Sequence, residues 1–379
     1  MAMHDREVIT ELANLLRTSG DWILEEGVKL SLTSVSLSIL NEGFRKLENY
    51  RLQQIDTSTG VAPVNLVLAN KGDDDKNRIF DDLTFLYAFI PKISALKVIH
   101  GTSTIQGPIC LEEFRNLQVL EVKKVPVHLL SGIEKLQLQL CTIICSRCIQ
   151  AAQDLFEACG GDMCSAHMWP KLTTVSLSSN NLDTLDGSFR LLPAVKTLDL
   201  SQNMLRNTEN YLENLTNLHY VNLSCNRLVH VPTFSVTAKH RLVKLILSNN
   251  NLDNIDGIQE LINLVELDLS GNCLCTHDKI NLLCYLHRLN VLNLRENPLA
   301  YHANHRLLTV QYLSPVAAKE LNFYFLSYSI AVADRTGTVC FPTPFTGEEH
   351  WLTGTGLWSI TGRWSFNGSA GSFGSDYMF

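Results

Sequence analysis

The chain has 379 residues, with 31 Lys+Arg against 38 Asp+Glu, a net charge of −7 and 45% apolar residues. A charged fraction of 18% lies below the roughly 25% usual for soluble domains, which excludes a disordered polyelectrolyte and allows a buried core. The acidic balance and the lack of a Lys/Arg run exclude affinity built on many phosphate contacts, so no nucleic-acid partner is expected.

Asp5, Arg6, Glu7 and Glu11 break up the first apolar residues, so no secretory leader is read there and a cytoplasmic location is expected. Val8, Ile9, Leu12, Leu15 and Leu16 share one helical face behind Asp5 as N-cap, which predicts a capping helix. KGDDDKN, Lys71 to Asn77, reads as a charged loop without function, since no Gly and distal Glu complete a calcium loop.

A repeat then begins. ISALKVIHG from Ile93, LQVLEVKKV from Leu117 and LCTIICSRC from Leu140 are weak copies of a unit that becomes regular further on. The regular copies read L-x-x-L-x-L-x-x-N-x-L: LTTVSLSSNNL from Leu172, VKTLDLSQNML from Val195, LHYVNLSCNRL from Leu218, LVKLILSNNNL from Leu242, LVELDLSGNCL from Leu264 and LNVLNLRENPL from Leu289. Their asparagines, Asn180, Asn203, Asn226, Asn250, Asn272 and Asn297, are 23, 23, 24, 22 and 25 residues apart, the period of a leucine-rich repeat. In the weak copies Gly101, Val125 and Cys148 take the Asn position, and the step of 32 residues from Cys148 to Asn180 marks an insertion containing a helix, AAQDLFEACGGD, ended by Gly160 and Gly161.

Each repeat predicts one short strand whose leucines stack on those of the next turn, giving a continuous core that no single repeat could bury. The Asn amide donates and accepts, so it suits the bend where the chain leaves the strand. Between strands, Leu252, Ile255, Ile258, Leu261 and Leu264 recur every three residues, which suits a 3₁₀ or short helical return. ENPLAYHANHRLLTVQYLSP, Glu296 to Pro315, has the form of a helical C-terminal cap, with the ordered solenoid ending near Lys319. The longest apolar stretch, Leu321 to Ala333, is shorter than the roughly 20 residues a bilayer requires, so no transmembrane segment is expected. Residues 336–379, rich in Gly, Ser and isolated aromatics, are expected to lack order, with a small strand unit around Trp351, Trp358 and Trp364 as the alternative.

No G-x-G-x-x-G, G-x-x-x-x-G-K-S, H-E-x-x-H or G-x-S-x-G is present, so no enzyme and no cofactor are expected. Eleven cysteines, an odd number without an export signal, read as reduced thiols. Cys145-x-x-Cys148 with Cys164-x-x-His167 has zinc-like spacing, but Cys145 takes an inward Leu position and Cys148 the Asn position, so structural thiols are the favoured reading and no metal is assigned.

That leaves the strand surface. One column of variable positions is Thr174, Thr197, Tyr220, Lys244, Glu266 and Val291; the next is Ser176, Asp199, Asn222, Ile246, Asp268 and Asn293. A third, Ser178, Ser201, Ser224, Ser248, Ser270 and Arg295, reads as structural, its hydroxyls bonding nearby backbone. Tyr220 beside Lys244 and Ile246, with Asp199, Glu266, Asp268, Asn222 and Asn293 around it, is the candidate partner-binding patch.

Three segments are more specific than the repeat: ELANLLRTSGDWIL from Glu11, IICSRCIQAAQDLFEACGGDMCSAHMWPKL from Ile143, and the cap from Glu296. In order and spacing they resemble the serine/threonine kinase 11-interacting proteins, over roughly residues 5 to 325. The resemblance implies a cytoplasmic leucine-rich scaffold that binds serine/threonine kinase 11 and influences its location, and it carries no catalytic motif. That family continues far beyond the cap, so the chain reads as its N-terminal repeat region, truncated or with an alternative C-terminus. The expectation is an α/β leucine-rich repeat solenoid of the short cytosolic type, with a parallel concave sheet and helical caps. Its parts are an N-terminal cap with irregular first repeats (1–92), the solenoid (93–299), a C-terminal cap (300–335) and the tail (336–379). It is expected to act as a monomeric adaptor. The alternative is a general cytosolic adaptor in vesicle traffic or phosphatase regulation.

Overall fold

The computed structural model describes residues 3–57, 74–101, 108–157 and 168–320, with the short segments 322–323, 339–342 and 349–352. The first helix, α1 (Met3–Glu25), buries Ile9, Ala13, Leu16, Gly20 and Ile23. Steps of four and three residues keep these on one stripe. The helix opens before Asp5, which therefore lies in the first turn and not at the cap, and Leu15, expected inside, is exposed. Behind α1 pack α2 (Ser34–Thr57) and α3 (Asp74–Phe89). Gly20 allows the close approach: a Cβ there would lie 2.7 Å from Cζ of Phe89. Arg17 spans α1 and α3, bonding the buried carboxylate of Asp82 at 2.6 Å. Asp74 to Asn77, read as loop, form the first turn of α3, while Lys71 to Asp73 lie outside the described residues.

Between α1 and α2 the chain makes a strand, β1 (Leu30–Thr33), that pairs in parallel with β2 (Ala95–Ile99). These begin an eleven-stranded parallel sheet. It continues through Val119–Lys123, Thr142–Ser146, Thr174–Ser176, Thr197–Asp199, Tyr220–Asn222, Lys244–Ile246, Glu266–Asp268 and Val291–Asn293, and closes on Asn322–Phe323. The weak copies are thus true rungs, with Ala95, Val119, Thr142 and Thr174 in one register. The inward leucines, valines and isoleucines of each rung are buried in one continuous core. Returns are short 3₁₀ or helical turns such as Gly187–Leu191, Tyr211–Asn214 and Ile258–Glu260.

The C-terminal cap is a pair of short helices, His305–Gln311 and Pro315–Glu320. The sheet then gains its last strand beyond Lys319, one rung further than the sequence suggested. Within 336–379, Val339–Pro342 pairs antiparallel with Glu349–Leu352, which contains Trp351; Trp358 and Trp364 lie outside the described residues. Cys159, Gly160, Gly161, Cys164 and His167 also lie outside them.

What joins one turn to the next is the asparagine. The amide nitrogen of Asn203 donates to the carbonyl of Leu177 in the preceding turn at 3.0 Å and to Leu200 at 2.9 Å, while its oxygen accepts from the backbone of Asn180 and Leu182, both at 3.0 Å. Asn226, Asn250, Asn272 and Asn297 repeat this, each donating to the turn behind and accepting from it. Asn180 does the same across the insertion, to Cys145 O at 2.8 Å and from Cys148 N at 2.9 Å. At Cys148 the thiol takes over the donor's part, reaching Val122 O at 3.2 Å and Ser146 O at 2.9 Å. At Gly101 the backbone N–H donates instead to Ser34 Oγ, 3.1 Å away at the start of α2.

The residue before each of these positions is left-handed from Lys124 onward: Lys124, Arg147, Ser179, Gln202, Cys225, Asn249, Gly271 and Glu296 all have φ between 55° and 64°. Gly271 is the one glycine among them, and it sits close to its neighbour. A Cβ on Gly271 would lie 2.4 Å from Oδ1 of Asn249.

The C-terminal cap is tied to the last return by histidines. His277 Nε2 and His305 Nδ1 are 2.9 Å apart, and the ring of His302 lies edge-on to His277 with centroids 5.8 Å apart. Burial first, then the neighbouring imidazoles, hold His305 from 6.5 down to about 4; burial and His302 also lower His277. One shared proton suits the pair, whereas a second charge would turn both facing nitrogens into donors.

Three outcomes follow from this construction. Asn226→Ala strands buried backbone groups of two turns and is expected to lower stability by about 1–3 kcal/mol in urea unfolding. Gly271→Ala places a side chain in the left-handed region and is expected to lower it by about 1–2 kcal/mol before the contact with Asn249 is counted. Because the folded His305 is depressed, its contribution to stability is full above pH 6.5 and is lost as pH falls toward about 4. Urea midpoints measured across that window should fall, and His305→Asn should flatten the slope.

Candidate functional site

The sheet register places the variable positions as the repeat phase requires. Thr174, Thr197, Tyr220, Lys244, Glu266 and Val291 are consecutive partners, and so are Ser176, Asp199, Asn222, Ile246, Asp268 and Asn293. All of these residues are half-buried, between fully buried inward neighbours. Strand alternation sends one set to the core and the other to the open face.

Three first-column side chains are joined across adjacent strands. Lys244 Nζ stands 5.6 Å from the ring centroid of Tyr220 and 2.7 Å from Oε1 of Glu266. The lysine therefore serves a cation–π contact and an ion pair together. Burial, then the charge of Asp199, pushes the Tyr220 hydroxyl above its ordinary 10, with Glu266 adding to this and Lys244 opposing it. This hydroxyl stays protonated near neutrality and presents a hydrogen-bond donor on an otherwise flat aromatic face.

The second column does a job that the sequence did not disclose. Asp199 Oδ1 accepts from Ser201 N at 3.0 Å, Asn222 Oδ1 from Ser224 N at 3.0 Å, Asp268 Oδ1 from Ser270 N at 2.9 Å and Asn293 Oδ1 from Arg295 N at 3.2 Å. A short side-chain oxygen reaches the N–H two residues on, as in an Asx turn, and holds the strand's exit. For the serine column the expected bonding is thus reversed: its backbone N–H groups donate to column two, and the Ser270 hydroxyl donates to Asp268 at 2.6 Å. Asp199 keeps its second oxygen on the face, where Ser176 Oγ donates at 3.0 Å. Ile246, with no acceptor to offer, is the apolar break in the column. Tyr220, Lys244, Ile246 and Glu266 therefore have no such turn to hold, whereas Asp199, Asn222, Asp268 and Asn293 have one oxygen committed to the fold.

A second charged group lies on the earlier rungs. Glu121 accepts from Lys29 at 2.6 Å and pairs with Lys97 at 2.7 Å. Burial pulls its carboxyl upward, but the two lysines outweigh this and hold it below the ordinary range. Nothing in the repeat signals this contact, since Lys29 precedes the first recognisable copy.

Of the zinc-like set, Cys145 and Cys148 are described, while Cys164 and His167 lie outside the described residues. Cys145 is fully inward, and its thiol is pushed well up by burial; Cys148 holds backbone carbonyls. No group of three His, Cys, Asp or Glu is placed to hold a metal among the described residues. No described helix is long and apolar enough to cross a membrane.

Residues 3–102 match the family described as LKB1 serine/threonine kinase interacting protein 1, and residues 216–274 match a leucine rich repeat family. The chain is 35% identical over 315 residues to the serine/threonine-protein kinase 11-interacting protein of Gallus gallus, covering 82% of this chain and 28% of that protein. With the Homo sapiens protein of the same name it shares 37% over 311 residues, again 82% of this chain and 28% of the relative. It therefore spans little more than a quarter of the length of these relatives. Among solved structures, an internalin from Listeria monocytogenes is similar over 56% of this chain and 64% of its own, at 16% identity and a TM-score of 0.42. By its repeats the chain belongs to the leucine-rich repeat proteins, and by residues 3–102 and the similarity over 82% of its length it is a relative of the serine/threonine kinase 11-interacting proteins.

Proposed function

We propose that the chain is a non-enzymatic adaptor whose sheet face binds a protein, serine/threonine kinase 11, in the cytoplasm, and that it acts as a monomer and influences where the kinase resides. The observation that carries the partner is the 35–37% identity, over 82% of this chain, to proteins named for interaction with that kinase. What supports the face is its chemistry. Tyr220, Lys244 and Glu266 form a linked row beside Ile246, an aromatic and aliphatic centre with charge around it, the composition that concentrates binding energy at interfaces. Solenoids use such extended faces for binding. Within the reading, Asp199 and Asp268 contribute charge at the edge of the contact, while their turn-holding oxygens keep the strand exits in place.

The phosphatase reading has a narrower footing: 30% identity over 140 residues, 36% of this chain, to an Arabidopsis thaliana protein named as a protein phosphatase 1 regulatory inhibitor subunit homolog.

The test is capture of purified serine/threonine kinase 11 on the immobilised chain. Tyr220→Ala with Ile246→Glu is expected to weaken capture at least tenfold. Asp199→Asn with Asp268→Asn keeps the turn acceptor while removing charge, and is expected to weaken it a few fold and to reduce its salt dependence. Capture that is equal for all three proteins removes the face from the account; no capture by the unmodified chain removes the named partner.

A further inference from the structure

The face is not of one sign along its length. On the rungs before the insertion, Lys123, Lys124 and Arg147 are exposed, and among the described residues none has an ion-pair partner. Beside them Lys29 and Lys97 share the single carboxylate of Glu121, so this pair of lysines is only half compensated. The register sets the spacing. Lys97 pairs with Glu121 and Lys123 with Ser146 on neighbouring strands, and the N–H of Lys124 bonds Ser146 O while that of Arg147 bonds Ser179 O. The cations thus rise from adjacent rungs, about 5 Å per step.

The fold does not ask for them. At the position of Lys123 the next six rungs carry serine, Ser146 to Ser270, and at the position of Lys124 and Arg147 the five rungs after the insertion carry uncharged residues, Ser179 to Gly271, before Arg295 and Glu296 on the last. The latter column is left-handed throughout, where a long side chain brings no conformational gain over Asn or Gly. Placing like charges on adjacent rungs of a chain with net charge −7 adds repulsion with no partner inside the described residues.

We propose that this cationic rim is a second docking surface, distinct from the Tyr220 patch, for a carboxylate-rich segment of polypeptide, the chemistry that Lys29 and Lys97 already gather on Glu121 beside it. An extended acidic chain crossing the strand ends meets Lys123, Lys124 and Arg147 in turn, with Arg147 free to form a forked pair. A nucleic acid is disfavoured because three cations without an ion pair among the described residues supply few phosphate contacts, and the later rungs carry Asp199, Glu266 and Asp268. A membrane surface is disfavoured because the exposed large apolar side chains of the described residues lie elsewhere, with Leu138 as the one in this stretch and not on a strand.

The experiment is fluorescence anisotropy of the full chain with three labelled twelve-residue peptides: Glu-rich, phosphoserine-containing and, as reference, Gln-rich. The acidic peptides are expected to bind at least tenfold tighter than the Gln-rich one, and to weaken as salt is raised. The Glu-rich peptide is expected to bind at least as tightly as the phosphoserine peptide; tenfold tighter binding of the phosphoserine peptide would overturn the assignment to carboxylates. Lys123→Glu/Lys124→Glu/Arg147→Glu should abolish that preference, and the milder Gln triple should reduce it severalfold. A control triple of the same charge change at exposed positions away from the rim, Arg206→Glu/Arg227→Glu/Lys279→Glu, should change it less than twofold. Equal losses in the two Glu triples, no preference for acidic over Gln-rich peptide, or tighter binding to vesicles containing phosphatidylserine than to either acidic peptide, would overturn the proposal.

Discussion

The structure rests on the buried side-chain amide that holds each turn to the one behind it. Three-residue strands leave more backbone groups outside the sheet ladder than within it, and the bend after each strand lies at the edge of the core. A carboxamide is the one short side chain that can donate to two carbonyls and accept from facing N–H groups at once. From Asn180 to Asn297 it does so in every turn, with distances of 2.8–3.2 Å across the inter-turn contacts from Asn203 onward. Register is then fixed by hydrogen bonds as well as by leucine packing, and residues 22 to 25 apart in sequence become neighbours in columns. Function can be distributed along the first of those columns, Thr174 to Val291, because its side chains hold no strand exit, whereas four of the six second-column residues do.

The departures from that rule lie toward the N-terminus. Cys148 supplies its thiol where the amide should be, Val125 supplies no donor, and at Gly101 the hydroxyl of Ser34 comes in from α2. Here the solenoid is closed by helices packed through Gly20 and the Arg17–Asp82 pair, not by another repeat. These same rungs carry Lys123, Lys124 and Arg147, which have no ion pair among the described residues, and the shared Glu121. The weakest repeats thus carry Lys97, Lys123, Lys124 and Arg147 on neighbouring rungs, as expected if their residues are set by something other than stacking.

Much of this was legible in the sequence because the repeat phase is itself a register: knowing that Asn203 and Asn226 are equivalent places Thr197 beside Tyr220, and the sheet has them there. Three things were not legible, each for a physical reason. β1 is four residues long, too short for alternation to announce it, and its pairing with β2 crosses more than sixty residues that contain two helices. On α1 the core stripe shares Ile9 and Leu16 with the apolar face read from the sequence, and Leu12 packs against it, but it also runs through Ala13 and Gly20, small residues that permit close approach, and leaves Leu15 outside, so a count of large apolar side chains misplaces the edge of the stripe. The committed oxygens of Asp199, Asn222, Asp268 and Asn293 depend on where each strand ends. Sequence shows four polar residues on a face; only the exit geometry shows that they also hold turns.

The central claim is that the open face of the sheet, not the return side, meets the partner. Site-specific photo-crosslinking tests it directly, with a benzoylphenylalanine placed in turn at Tyr220 on the sheet face and at Tyr285, which is exposed on the return side. On irradiation with purified serine/threonine kinase 11, a covalent adduct from position 220 and none from 285 is the predicted result. An adduct from 285 alone would contradict the account.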